Sequence, residues 1–115
     1  MGFLANVFAK ATSPAEAVDV SEAQRRQQAG ALIVDVREPE EWREGHVAGA
    51  RHIPLGALTA RLAELPRDQE ILTFCRSGNR SGRAQSLLQG HGFTTVRNVS
   101  GGIVAWERAG LPVER

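Results

Sequence analysis

The stretch Ile71-Leu72-Thr73-Phe74-Cys75-Arg76-Ser77-Gly78-Asn79-Arg80-Ser81-Gly82-Arg83 decides how the chain is read. Ile71 to Phe74 is a short apolar run of the kind that fills a buried strand. It stops at Cys75, the only cysteine of the 115-residue chain. A loop of small residues follows, then Ala84, Leu87 and Leu88, which share one face of a helix beginning near Arg80 or Ser81. A thiol at a strand-to-helix junction is the local pattern.

Outward from this junction the pattern repeats. Ala17-Val18-Asp19-Val20 is a short strand candidate, after which Ser21, with Gln24 three residues on, offers a capping box for a helix ended by Gly30. Leu32-Ile33-Val34-Asp35-Val36 is nearly continuous aliphatic sequence, as expected for a strand covered on both faces. Pro39 suits the first turn of a short helix closed by Gly45, and Arg51-His52-Ile53 is a brief strand before Pro54. Leu58, Leu62 and Leu65 recur at helical spacing up to Pro66. Thr94-Thr95-Val96 is expected as a strand, and Ile103 to Ala109 as a last helix ended by Gly110 and Pro112. The expectation is one α/β domain over residues 15–115: about five strands in a mainly parallel sheet, helices on both faces. Residues 1–14 are read as an N-terminal extension in which Phe3, Leu4, Val7 and Phe8 offer a weak docking surface.

In a parallel sheet, ligands bind beyond the carboxyl ends of the strands, where Cys75 sits. Amides at a helix start carry partial positive charge, and Gly78 lets the loop curl so that successive N–H groups converge on an anion. Arg76 and Arg80 add full charges, and the Arg80 fork suits bidentate anion binding. Each feature favours thiolate over thiol, lowering the Cys75 pKa from its free value of about 8.5. A lone cysteine is usually a small hydrophobe at a strand end, but packing does not require Gly, Asn, Ser and arginines around it. From the residues alone, the reading is a reactive thiolate facing an anionic ligand.

The bulk numbers exclude other classes. Fourteen basic against 13 acidic side chains give a net charge of +1, which argues against nucleic-acid or membrane binding through a broad basic surface. No disulfide can form within a chain holding one cysteine. The N-terminus lacks the basic start and long apolar stretch of a signal peptide, so the expected location is cytoplasmic. His46, His52 and His91 have no metal-ligand spacing, and no zinc site is expected. Trp42 and Trp106 are far apart in sequence and read as core or edge packing.

Cys75-Arg-Ser-Gly-Asn-Arg80-Ser resembles the active-site loop of the rhodanese-type sulfurtransferases. Asp35-Val-Arg37-Glu-Pro-Glu-Glu-Trp42 with Glu44-Gly-His46-Val-Ala-Gly-Ala50-Arg-His52-Ile-Pro54 resembles the family's signature near the start of its domain. Gly101-Gly-Ile-Val-Ala-Trp106 through Pro112 resembles its C-terminal signature. The resemblance covers roughly residues 17–113 in the expected order. It implies a rhodanese-like single domain in which Cys75 is the catalytic nucleophile and passes through a persulfide. Arg76, Ser77, Gly78, Asn79, Arg80 and Ser81 would bind the substrate; Asp35 and Arg37 are read from the residues themselves as support, Asp35 at its strand end fixing an arginine such as Arg37 or orienting the loop. It further implies a small anionic sulfur donor such as thiosulfate, and cyanide, a thiol or a sulfur-carrier protein as acceptor, with neither metal nor organic cofactor.

Two other readings compete. Phosphatases and arsenate reductases of related fold use a thiolate in a similar loop, but theirs is one residue longer than the four-residue gap between Cys75 and Arg80. No Asp or Glu lies in or beside this loop as a general acid, although a distant one could fold near. The other rival is a non-catalytic binding module or redox relay on the same scaffold. Retention of Cys75 argues against the first, and the missing resolving cysteine against the second.

Overall fold

The computed structural model of the chain describes residues 16–115, so the expected N-terminal extension lies outside the described residues. Strand β1 (Ala17–Val18) leads into helix α1 (Val20–Gln28), followed by β2 (Leu32–Asp35), α2 (Pro39–Glu44), β3 (His46–Val47) and β4 (Arg51–His52). Two 3₁₀ segments, Leu55–Ala57 and Thr59–Glu64, then precede β5 (Ile71–Phe74), α3 (Asn79–Gly90), β6 (Val96–Val99), α4 (Gly102–Arg108) and β7 (Val113–Glu114). Five strands form one parallel sheet in the order β1-β6-β5-β2-β4, as the sequence led us to expect. β3 and β7 pair separately and antiparallel.

Alternation along β5 builds a core on each side of that sheet. Ile71 and, just past the strand, Cys75 join Val34, Leu58, Ala84, Leu88 and Val96 under α3 and the 3₁₀ segments. Leu72 and Phe74 point the other way, to Ala23 of α1 and Ile103 and Trp106 of α4. The chain leaves β2 toward β4 but leaves β5 toward β6, so adjacent strands send their connections in opposite directions. A crevice opens at such a reversal. Asp35 and Cys75 stand at its two sides, with Asp35 in register with Phe74.

Four expectations are corrected. The first strand ends at Val18, and the residue capping α1 is Asp19, not Ser21: its Oδ1 accepts the Glu22 N–H at 2.8 Å. The reach-back of a capping box is seen instead in α2, where Glu41 Oε1 accepts the Glu38 N–H at 2.9 Å. The Leu58–Leu65 stretch forms 3₁₀ turns interrupted at Arg61, where the backbone leaves helical φ/ψ, with Leu58 and Leu65 buried at its two ends. The strand expected at Thr94–Val96 lies at Val96–Val99, since the register sets Val96 opposite Ile71 and leaves Thr94 and Thr95 exposed.

Candidate active site

β5 delivers Cys75 to the carboxyl edge of the sheet, where the residue is 1% exposed. The turn that follows wraps round the sulfur. Gly78, at φ +114°, takes the backbone through a region that L side chains rarely adopt and aims its N–H at Sγ, 3.1 Å away. The first turn of α3 adds the Ser81 N–H at 3.3 Å and the Ser81 hydroxyl at 3.2 Å. Burial pushes the thiol pKa up. The Ser81 hydroxyl and the amides of Ser81, Gly78 and Ser77 pull it down, and the outcome is a value below the ordinary one. The expected amide cradle is therefore present around the sulfur.

The carbonyl side of the same loop is fixed by α4. The Ile103 N–H donates to the Cys75 carbonyl at 2.9 Å and the Val104 N–H to that of Arg76 at 3.2 Å. This approach needs Gly102 (φ +51°): a Cβ there would fall inside the contact distance of the Cys75 carbonyl oxygen and the Arg76 peptide. Asn98 of β6, level with Thr73, reaches the loop from the opposite side. Its Nδ2 donates to the Gly78 carbonyl at 3.1 Å, and its Oδ1 accepts the Ser81 hydroxyl at 2.6 Å.

The two arginines expected to bind an anion are placed differently. Arg80 does form a bidentate fork, but its partner is Glu41 of α2, at 2.7 and 2.9 Å. The Arg80 hydrogen bonds hold the Glu41 carboxyl down to about 2, well below its ordinary value. Arg76 is exposed, and its guanidinium makes no ion pair among the described residues. It lines a cleft of about 210 Å³ together with Arg37, Glu41, Glu44 and Glu107, and with Ile103 and Val104 of α4. Ser77 and Asn79 are exposed on the loop, as is Arg83 further along α3.

Asp35 and Arg37 form a buried pair, 0% and 4% exposed, joined by Nε and Nη2 of the guanidinium. Arg37 also donates to the carbonyls of Glu41 and Gly45, tying the end of β2 to the middle and the C-terminal end of α2. Trp106 is core, as expected, but Trp42 is half-buried and stacked between two imidazoles. Its ring centroid lies 3.6 Å from that of His46 and 4.8 Å from that of His52. His46 Nδ1 donates to the Trp42 carbonyl and His52 Nε2 to the Arg37 carbonyl, each at 2.7 Å. Among the described residues, no three of His, Cys, Asp and Glu gather as a metal-binding group.

Sequence reasoning missed Glu41, Asn98 and Gly102. Glu41 is the distant carboxylate that folds near the loop, and nothing local announces its pairing with Arg80. Asn98 had a faint signal, a polar residue between Val96 and Val99 of a strand. Gly102 had a clearer one, the Gly101-Gly102 pair ahead of an apolar helix.

Comparison with known proteins agrees with this geometry. The family model described as "Rhodanese-like domain" matches residues 19–109. A protein named sulfurtransferase from Allochromatium vinosum is 40% identical over 82 residues, covering 71% of this chain and 77% of its own. The thiosulfate sulfurtransferase GlpE of Pseudomonas putida is 37% identical over 89 residues, covering 77% and 80%. A crystal structure of a rhodanese-related protein from Thermoplasma volcanium superposes with a TM-score of 0.80 at 30% identity, over 86% of this chain and 97% of that one. On its matched span, its motifs and its fold, the chain belongs to the rhodanese-like domain family.

Proposed function

We propose that the chain is a sulfurtransferase that carries sulfane sulfur on Cys75. The observation that carries this reading is the sulfur itself, buried at a strand tip with two backbone N–H groups directed at it and the Ser81 hydroxyl oxygen in contact with it. Backbone amides fixed in a site of low polarity favour a thiolate. In the first step the thiolate attacks the outer sulfur of thiosulfate. A Cys–S–S⁻ bond forms, the donor's S–S bond breaks, and its electron pair leaves with sulfite. In the second step cyanide, a thiol or a sulfur-carrier protein takes the outer sulfur and restores the thiolate. One transfer becomes two easier displacements.

Within this reading, Gly78 and Ser81 hold the thiolate and the persulfide. Arg76, facing the cleft with no ion-pair partner among the described residues, binds the anionic donor. Ser77 and Asn79 shape the loop, and Asp35 with Arg37 braces the wall opposite. Arg80, engaged by Glu41, acts at longer range as a positive charge near the sulfur.

The phosphatase alternative gained a carboxylate when Glu41 folded beside the loop. A general acid, however, needs a pKa near the working pH, and Glu41 is held at about 2 by Arg80. Glu41 therefore stays ionised, and the short loop keeps the sulfur-transfer reading ahead.

The test is intact mass after incubation with thiosulfate, followed by cyanide and a thiocyanate assay. The expected result is one added sulfur atom, lost on adding cyanide and absent in Cys75→Ser. No uptake together with aryl-phosphate hydrolysis would replace this reading with the phosphatase. Inactivity in both assays would replace it with a binding module.

A further inference from the structure

We infer that Asn98 is a positioning residue that competes with the Cys75 thiolate for the single hydroxyl proton of Ser81. This rests on the proposed role of Cys75 for its relevance to sulfur transfer, but its own evidence is a chain of hydrogen bonds whose directions are fixed. The Gly78 carbonyl can only accept, so the Asn98 group 3.1 Å from it is the NH₂. Oδ1 must then face Ser81, and at 2.6 Å it can only accept the hydroxyl hydrogen. Ser81 has no second hydrogen on that oxygen. The 3.2 Å contact between Ser81 Oγ and Cys75 Sγ is therefore donated by the thiol S–H. As long as Asn98 holds the Ser81 proton, the hydroxyl oxygen accepts from the neutral thiol, and its downward pull on the thiol pKa acts only once the O–H turns to the sulfur.

Ionisation requires a rearrangement. The thiol proton leaves to water, and the Ser81 O–H rotates from Asn98 Oδ1 to Sγ. No bond is made or broken at Ser81 or Asn98, and the charge stays on sulfur. Asn98 Oδ1 loses its donor in exchange, so part of what the thiolate gains is given back. Meanwhile Nδ2 keeps the Gly78 carbonyl in place, which holds the Gly78 N–H on the sulfur. Asn98 thus steadies the cradle while opposing its ionised state. The charged groups around the loop are Arg76 and Arg80 on it, Glu41 from α2, the Asp35–Arg37 pair at the end of β2, and Glu107 from α4. None of them hydrogen-bonds Ser81 or Asn98 among the described residues, so removing the Asn98 acceptor leaves these charges where they are.

A purely structural role for Asn98 predicts the opposite sign. If it only clamped the loop, its loss would let the Gly78 amide drift and raise the thiol pKa. Asn98→Leu removes the acceptor while filling its space, and Asn98→Ala is the second variant if the leucine does not fold. The Cys75 pKa is read from the pH dependence of iodoacetamide alkylation, in each variant alone and combined with Ser81→Ala. The expected result is a fall of about one unit on replacing Asn98 when Ser81 is present, and no fall when it is absent, where only the hold on the Gly78 carbonyl is lost. A rise with Ser81 present, or an equal shift in both backgrounds, overturns the proposal. Alkylation does not depend on sulfur transfer. A protein that ignores thiosulfate yet shows the Ser81-dependent fall would sink the sulfurtransferase reading and keep this one.

Discussion

Around Cys75, two arginines with equal standing in the sequence have different duties. Both lie in the loop, and both suit anion binding. Only the fold shows that the Arg80 fork closes on Glu41 while Arg76 faces the cleft. Arg76→Ala is therefore expected to raise the KM for thiosulfate about tenfold, the worth of one charge-assisted hydrogen bond, with unfolding unchanged. Arg80→Ala should raise KM less and cost roughly 1 kcal/mol of stability, because it strands Glu41. Steady-state kinetics and urea unfolding of the two variants check this, and the reverse ranking would return Arg80 to the role its spacing suggested. The thiol, the glycine that curls the loop and the Asp35–Arg37 pair were all legible from residue type and local spacing. The partner of Arg80 was not, because 39 residues separate it from Glu41.

Elements were legible where periodicity and length agreed. β5 has the expected bounds, and α3 begins within a residue or two of where Arg80 and Ser81 placed it. The Leu58–Leu65 segment misled because a spacing of three to four residues does not tell an α-helix from successive 3₁₀ turns, and β6 because register with β5 outweighed the β propensity of two threonines. The contact of α4 with the loop illustrates a constraint that only packing reveals. Gly101 and Gly102 bring the helix close enough for Ile103 and Val104 to bind the Cys75 and Arg76 carbonyls. Gly102→Ala must move backbone, since no flexible side chain is there to give way. It is expected to cost about 2 kcal/mol or more and to lower kcat/KM by roughly a hundredfold, as the loop shifts off the sulfur. Thermal unfolding alongside the thiocyanate assay tests both parts, and a variant of normal stability and activity would show that α4 does not set the loop.

At the scale of the whole molecule, the alternation of strands and helices predicted the parallel sheet, but not the order of its strands. That order brings the ends of β2 and β5 together and lets α2 meet α3 across the crevice. The Glu41–Arg80 pair is the ionic link between those two helices, with side chains 27% and 31% exposed. Glu41 is held at about 2 against an ordinary 4.5, so its contribution is complete above pH 4.5 and is lost as the pH falls toward 2. Partial exposure limits it to on the order of 1 kcal/mol. Glu41→Gln is expected to lower neutral-pH stability by that amount and to flatten the acid limb between pH 4.5 and 2. Urea midpoints measured across that range decide the matter, since an unchanged limb would mean the pair contributes nothing.

Trp42 has a practical use that follows from its place between His46 and His52. Its indole lies one residue from Glu41, while Trp106 is sealed behind the sheet. With Trp106→Phe, all tryptophan emission would come from the helix that answers to Arg80. Thiosulfate and sulfite are colourless, yet this fold supplies its own fluorophore on the helix that carries Glu41.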